Sequence, residues 1–229
     1  SKGEKVALVG ESGSGKSVTT KLILGLLNQK NVSKKGEIIF NNNNILNLPQ
    51  SEFKKIRGNN ISIIFQDPIA ALNPVFKIKD QFYEVNLNKK FFTKKDSFLR
   101  AAKALEKVSI RDPERVLESY PFQLSGGLAQ RVVITMAMIN KPKLLFLDEP
   151  TASLDPDVGD FVREYLEKYK NKNELTMLLA SHNMKEVERL CNKIVMMKQG
   201  KIVDRGTCQE LINKHGRKNL EDTFLKIAR

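Results

Sequence analysis

Gly10-Glu11-Ser12-Gly13-Ser14-Gly15-Lys16-Ser17 fits the spacing G-x-x-x-x-G-K-[ST] without a gap. The apolar run Val6-Ala7-Leu8-Val9 precedes it, and a helical pattern with Val18, Leu22, Ile23, Leu26 and Leu27 on one side follows. A buried strand, a glycine-rich turn and a helix in that order predict a cradle for phosphate. Successive backbone N–H groups converge on phosphate oxygens only where glycines permit the turn, and the next helix directs its positive end to the same point. Lys16 would neutralise the β- and γ-phosphates, and the Ser17 hydroxyl would hold Mg²⁺.

Working outward from this loop, Gly36–Phe40, Ile61–Phe65, Leu144–Leu147 and Thr176–Ala180 read as strands. Ile194–Met197 and Lys201–Val203 flank Gln199-Gly200, which reads as a hairpin turn. Pro156 fits the first turn of a helix with Val158, Phe161, Val162, Tyr165 and Leu166 inward, and Met184, Val187 and Leu190 mark another. From about Lys79 to Asn140 the pattern is helical, interrupted by a polar stretch near Asn86 to Lys95. Strands alternating with helices predict an α/β core of mainly parallel sheet with ligands at the strands' carboxyl ends, and the helical middle predicts a separate lobe. Asp148 and Glu149 close the strand Leu144–Leu147. A carboxylate there can hold Mg²⁺ through water, and its neighbour can face an attacking water as general base, although an apolar run followed by acidic residues is also how many solvated loops begin.

Composition narrows the field. With 229 residues and 41% hydrophobic side chains, the chain can bury one sizeable core. No apolar run approaches the roughly 20 residues that span a bilayer, and Ser1-Lys2-Gly3-Glu4-Lys5 lacks the stretch of a secretory signal, so a cytosolic protein is expected. Cys191 and Cys208 have no metal-ligand spacing and read as thiols of a reducing compartment. The net charge of +13 is mostly lysine accompanied by asparagine, including the run Asn41 to Asn44, which reads as compositional drift over solvated faces. Dense basic clusters, Lys89-Lys90 and Lys94-Lys95, are confined to short polar segments, so no nucleic-acid partner is expected.

Leu124-Ser125-Gly126-Gly127-Leu128-Ala129-Gln130-Arg131 resembles the LSGG signature of ATP-binding-cassette (ABC) ATPases. The family's other motifs appear in its order. Gln66, in Phe65-Gln66-Asp67-Pro68, resembles the Q-loop glutamine, and Leu144 to Pro150 resembles Walker B with its catalytic glutamate. Ser153-Leu154-Asp155 resembles the D-loop, and Ser181-His182 the switch histidine; His215, in the polar tail, reads as structural. Ser125 reads as an N-cap, with Val132, Val133, Met136 and Ile139 holding its helix down. The resemblance covers essentially the whole chain as one ABC ATPase domain. It implies a phosphate-loop NTPase (RecA-like) core over 1–78 and 140–229, with a helical subdomain at 79–139 that carries the signature at its end.

The resemblance also implies roles. ATP would contact Glu11, Ser12, Gly13, Ser14, Gly15, Lys16, Ser17, Val18, Gln66, Ser125, Gly126, Gly127, Gln130 and Asp155. Mg²⁺ would be held by Ser17, Gln66 and Asp148, and the catalytic residues would be Glu149, His182 and Lys16. The family grips each ATP between the phosphate loop of one subunit and the signature of another, so the expected partners are a second ATP-binding subunit, identical or not, and transmembrane permease subunits. A solute-binding protein fits the same assembly, and this chain would lie at the cytoplasmic face of a bacterial-type cell membrane. The family usually stacks adenine on an upstream aromatic residue. Here 15 residues precede Lys16 and none is aromatic, so the family's N-terminal β strands are expected to be missing, or the base to be held otherwise.

Ala71-Leu72-Asn73-Pro74 and Tyr120-Pro121-Phe122-Gln123 resemble the ATPases of oligopeptide, dipeptide and nickel importers. Ala180 to Cys191 and Gly216 to Leu225 look more like ABC-2-type exporter ATPases. Import energised by ATP hydrolysis is therefore the expectation, with an exporter ATPase or an accessory ATPase of a soluble enzyme complex as alternatives. A DNA-repair relative would insert coiled coils or a zinc module between Gln66 and Ser125, which are only 59 positions apart. A non-hydrolysing regulator would not need Lys16, Asp148, Glu149 and His182 together.

Overall fold

In the computed structural model the elements run β1 (Lys5–Val9), α1 (Lys16–Ile23), β2 (Ile39–Phe40), β3 (Asn43–Asn44), α2 (Gln50–Ile56), β4 (Ile61–Ile64) and α3 (Ile78–Asn86). They continue with α4 (Lys94–Glu106), α5 (Pro113–Glu118), α6 (Gly126–Met138), β5 (Leu144–Asp148), α7 (Pro156–Lys172), β6 (Thr176–Ala180) and α8 (Met184–Leu190). The chain closes with β7 (Lys193–Lys198), β8 (Lys201–Gly206), α9 (Cys208–His215) and α10 (Leu220–Ala228). The structure describes residues 2–27, 32–86, 93–152, 154–172 and 175–228. Residues 1–57 with 175–229 form one compact unit and residues 58–174 another. Lys89-Lys90 and Ser153 lie outside the described residues.

In the first unit β1 lies between two parallel neighbours, with Ala7 opposite Leu179 of β6 and opposite Ile194 of β7. A strand bonded on both sides has no solvated edge, and its Ala7, Leu8 and Val9 are buried with Leu179, Ala180, Ile194 and Met196. β8 returns antiparallel to β7 through Gln199-Gly200, both with positive φ (50° and 75°), the backbone a two-residue hairpin requires. The cap pair Thr207 and Glu210 starts α9 by bonding each other's backbone N–H groups.

In the second unit β4 and β5 are parallel, Ile61 facing Leu144 and Ile64 facing Leu147. Ile61, Ile64 and Leu147 are buried, as are Ile78, Phe82, Leu105, Leu117, Val132 and Ile134 from the helices, while Leu144 is half-buried. Thr93 caps α4 in a box with Asp96, and Asp112 with Pro113 starts α5. α6 is apolar nearly all round and most of its residues are buried, Met136 being only half so. On α7 Val162 and Leu166 are buried, while Val158, Phe161 and Tyr165 are half-buried.

Two expectations need correction. Only Ile39–Phe40 of the Gly36–Phe40 segment is a strand, and it pairs with Asn43–Asn44. Asn41 and Asn42 have positive φ (48° and 64°), so the asparagine run is a tight turn, a conformation asparagine tolerates better than most residues. The helix after the phosphate loop stops at Ile23, because Gly25 adopts φ +63° and a side chain there would meet the Phe53 ring at 2.8 Å. Leu26 therefore lies beyond the helix, and it and Val18 are exposed, at 42% and 58%. Neither Cys191 nor Cys208 is in a disulfide, and no helix among the described residues is long and apolar enough to cross a membrane.

One buried charge ties β8 to α9. Asp204, only 7% exposed at its side chain, accepts a hydrogen bond from Lys214 Nζ (2.7 Å) and lies 2.6 Å from His215 Nε2. The Lys214 bond, with help from His215 and the Arg205 backbone N–H, outweighs burial and holds the Asp204 carboxyl at about 2. A depressed carboxyl stabilises the fold above its unfolded value of about 3.9, and that contribution disappears as pH falls towards 2. Asp204→Asn is expected to lower Tm at pH 7 by about 3–6 °C, with the gap to the unaltered chain closing below about pH 3. Thermal melts across that range check it; a gap independent of pH would show that the charge is not the cause.

Candidate functional site

The phosphate loop begins where β1 stops. A side chain at Gly10 would meet that of Ser14 and lie 2.5 Å from the Met197 carbonyl oxygen, so the backbone can pass only as glycine. Gly13 and Gly15 have φ of +78° and +99°, and Gly15 is the N-cap of α1, whose first turn holds no acidic residue. The positive end of α1 therefore faces the loop without a carboxylate to offset it. Lys16 is 8% exposed, and its Nζ donates to the carbonyl oxygens of Gly10 (2.6 Å) and Glu11 (3.0 Å). The loop is braced by Ser14 N donating to the Glu11 oxygen and by Gly200 N, from the β7–β8 turn, donating to the Ser14 oxygen, both at 3.1 Å.

Two observations fit this loop to phosphate. Gly13 and Gly15 hold the left-handed backbone that lets successive N–H groups turn to one point, and Ser14 Oγ is buried without a hydrogen-bond partner. Burying an unpaired hydroxyl costs about 1–3 kcal/mol, which an accepting phosphate oxygen would offset. Glu11, Ser12, Gly13, Ser17 and Val18 are exposed around it.

His182 comes to the same edge of the first unit. Ser181 N donates to the Leu8 oxygen at 3.3 Å, so the chain leaving β6 runs beside the chain leaving β1. Ser181, 2% exposed, donates through Oγ to Glu186 Oε2 (2.8 Å) and accepts from Asn183 N (3.1 Å), while Asn183 Oδ1 caps the Glu186 N–H (3.3 Å). This buried lattice fixes the residues on both sides of His182 and leaves the imidazole exposed. Glu186 was not anticipated; its place three residues after an asparagine N-cap is the signal that marks it. His215 takes a structural place against Asp204.

The second unit collects Gln66, Asp148 and Glu149 at the carboxyl ends of β4 and β5. Glu149 is the first residue past β5 and has φ +47°, a left-handed backbone that a non-glycine residue rarely holds. Ser125 caps α6 by accepting from Leu128 N (3.4 Å), with Ser125 and Gly126 exposed. Gly127 leaves room for Val158 of α7, which a side chain would approach to 3.1 Å. Asp155 is exposed at the start of α7, and its carbonyl accepts from Gly159 N. Gln130 departs from expectation: it is fully buried, and its Nε2 donates to the Pro150 carbonyl at 2.8 Å. The side chain presents no surface to solvent within this chain.

The chain's similarities agree with this geometry. A family model described as ABC transporter matches residues 1–152. The chain is 42% identical over 210 residues to a peptidoglycan transport ATP-binding protein of Agrobacterium fabrum, covering 91% of this chain and 38% of that one. It is 40% identical over 212 residues to a dipeptide transport ATP-binding protein of Lactococcus lactis, covering 92% and 60%. The chain thus spans less than two thirds of these relatives' length. Among solved structures it resembles a dimeric ATP-binding cassette in a post-hydrolysis state bound to ADP and Pi, with a TM-score of 0.79 and 27% identity over 90% of this chain and 86% of that one. That likeness extends to the phosphate-loop NTPase fold with its mostly parallel sheet.

The space behind Gly10 sets a test of the loop. Gly10→Ala is expected to weaken nucleoside triphosphate binding by at least about tenfold, or ~1.4 kcal/mol, with the circular dichroism of the fold retained. Titration calorimetry reads it; an unchanged affinity would mean that the loop does not clasp phosphate.

Proposed function

We infer the function of this chain from the family to which it belongs, that of ABC transporter ATP-binding subunits: it binds Mg-ATP, and two such subunits hydrolyse it to drive a separate membrane permease. The observation that carries this reading is the phosphate loop, with its two left-handed glycines, its tethered Lys16 and its orphaned Ser14 hydroxyl. The N–H groups of the loop other than that of Ser14, which the Glu11 oxygen takes, would bind the phosphates, and Lys16 would neutralise the β- and γ-oxygens. The family resemblance assigns Mg²⁺ to Ser17, Asp148 and Gln66, each of which carries a side-chain oxygen of the kind a hard cation takes, and the ion would offset negative charge on the phosphates.

Hydrolysis then needs a water aligned with the γ-phosphorus. Glu149 would orient that water and accept its proton as the P–O bond to ADP breaks, and His182 would donate to a γ-oxygen. Ser125 and Gly126, exposed at the start of α6, would complete the site of the neighbouring subunit, with Gly127 and Asp155 beside them. Such sharing suits the dimeric arrangement of the cassette that this chain resembles. The helical region 79–139 would be the lobe that presents the signature.

The relatives' names point to peptides or peptide-like fragments as cargo, and we propose that this chain, at the cytoplasmic face of the membrane, drives uptake through a peptide-type permease fed from outside by a solute-binding protein. Their matches span more than nine-tenths of the chain and so include Ala180–Cys191, whose exporter-like residues we read as local variation within a peptide-transport cassette.

Glu149→Gln is expected to retain ATP binding while turnover falls on the order of 10²–10⁴-fold; a near-normal rate would remove the base assignment. The rate per chain is expected to rise with protein concentration until dimers saturate. A flat dependence at high dilution would contradict a site shared between subunits.

A further inference from the structure

We propose that Gln130 is a positioning residue for Glu149: it pins the backbone that carries the base and ties it to the helix that carries Ser125. This rests on the reading of Glu149 as the base. Glu149 stands at φ +47°, a conformation that costs a non-glycine residue about 1–2 kcal/mol and persists only where its surroundings enforce it. The next residue, Pro150, has no N–H, so the loop has few backbone handles here. Ala152 N donates to the Glu149 oxygen (3.2 Å), and Gln130 Nε2 donates to the Pro150 oxygen (2.8 Å). These bonds hold the carbonyls on both sides of the Glu149–Pro150 turn.

Gln130 is fully buried, and its Oε1 has no hydrogen-bond partner. The acceptor fixes the amide's orientation, since Oε1 turned to Pro150 would face another oxygen lone pair. An apolar side chain would fill the space without an orphaned oxygen, so packing alone does not account for a glutamine here. The surroundings make one block of α6, the loop and α7. Arg131 lies over the Phe161 ring (4.3 Å), Val158 fills the space at Gly127, and Arg163 donates to Thr151 Oγ1 (3.3 Å). Gln130 sits between the exposed cap Ser125 and Pro150, so displacement at the signature end of α6 is passed to the backbone of the base in the same chain.

Gln130→Met keeps the volume and removes the donor. Relative to the unaltered 229-residue chain, we expect kcat to fall about tenfold or more with KM for ATP within twofold. Amide exchange in a peptide covering 149–155 is expected to quicken while the rest of α6 is unaffected. Gln130→Glu supplies the second arm. Its carboxyl donates to the Pro150 oxygen only when protonated, so its rate relative to the unaltered chain should rise as pH falls from 8 to 6, while the Gln130→Met ratio stays flat. Unchanged kcat and exchange in Gln130→Met, or parallel pH ratios for both variants, would overturn the proposal. If the unaltered chain hydrolysed no ATP but exchange in 149–155 still quickened in Gln130→Met, the function reading would fail and the positioning would stand.

Discussion

A triphosphate presents more negative charge in a small volume than any single side chain can neutralise, and taking it from water requires donors already pointing at it. Backbone N–H groups meet that need at no cost in side-chain entropy, provided that several converge and that none is spent on secondary structure. In this chain convergence depends on β1 being held between two parallel strands, so that the residues after Val9 emerge at a rigid edge. It depends equally on Gly10 passing beside the Met197 carbonyl and on the β7–β8 turn bracing Ser14. Lys16 is anchored to the Gly10 and Glu11 carbonyls, which places its ammonium without leaving a long flexible stem to be ordered on binding.

The second unit uses buried polar bonds for a different purpose. Its strand β5 ends at Asp148 and is followed by Glu149, whose backbone is not in a low-energy region, and the segment after it is clasped by α6 and α7. Both helices are anchored by apolar contacts, α6 through Val132, Ile134 and Met138 and α7 through Val162 and Leu166. Rigid helices therefore supply the precision, and the polar groups set direction. Ser181, Asn183 and Glu186 do the same beneath His182 in the first unit, where a hydrogen-bonded cluster fixes the flanking backbone and leaves the imidazole exposed.

The strong positive charge has little part in holding the fold. The ion pairs Lys55–Glu52, Lys79–Glu118 and Lys168–Glu164 all involve side chains exposed to water, where such pairs contribute about 0–1 kcal/mol. Asp204 differs because its carboxylate is buried and two cation-forming side chains of α9 close on it. That pair of bonds, rather than the apolar face of α9 alone, sets how the helix after β8 returns to its unit.

The sequence by itself determined the phosphate loop, the apolar strands beside it, the Asp148-Glu149 pair and the signature start. Each is written in contiguous residues whose spacing matches one backbone geometry. Glycine at 10, 13 and 15 and the run Val6–Val9 leave few other conformations, and a capping serine before two glycines leaves few others at Ser125. Tertiary structure alone decided which polar side chains serve the site and which serve the scaffold. Gln130 lies beside the signature in sequence, yet packing of α6 against the loop after β5 encloses it and gives its amide to Pro150. Val18 follows a helical apolar pattern, yet stands exposed because α1 ends at Ile23 and buries Lys16 and Thr20 instead. The asparagine run resembles drift, yet two left-handed residues within it close a turn. Periodicity records the local path of the chain, whereas burial and hydrogen-bond partners come from segments far apart in sequence, and their meeting has no local signature.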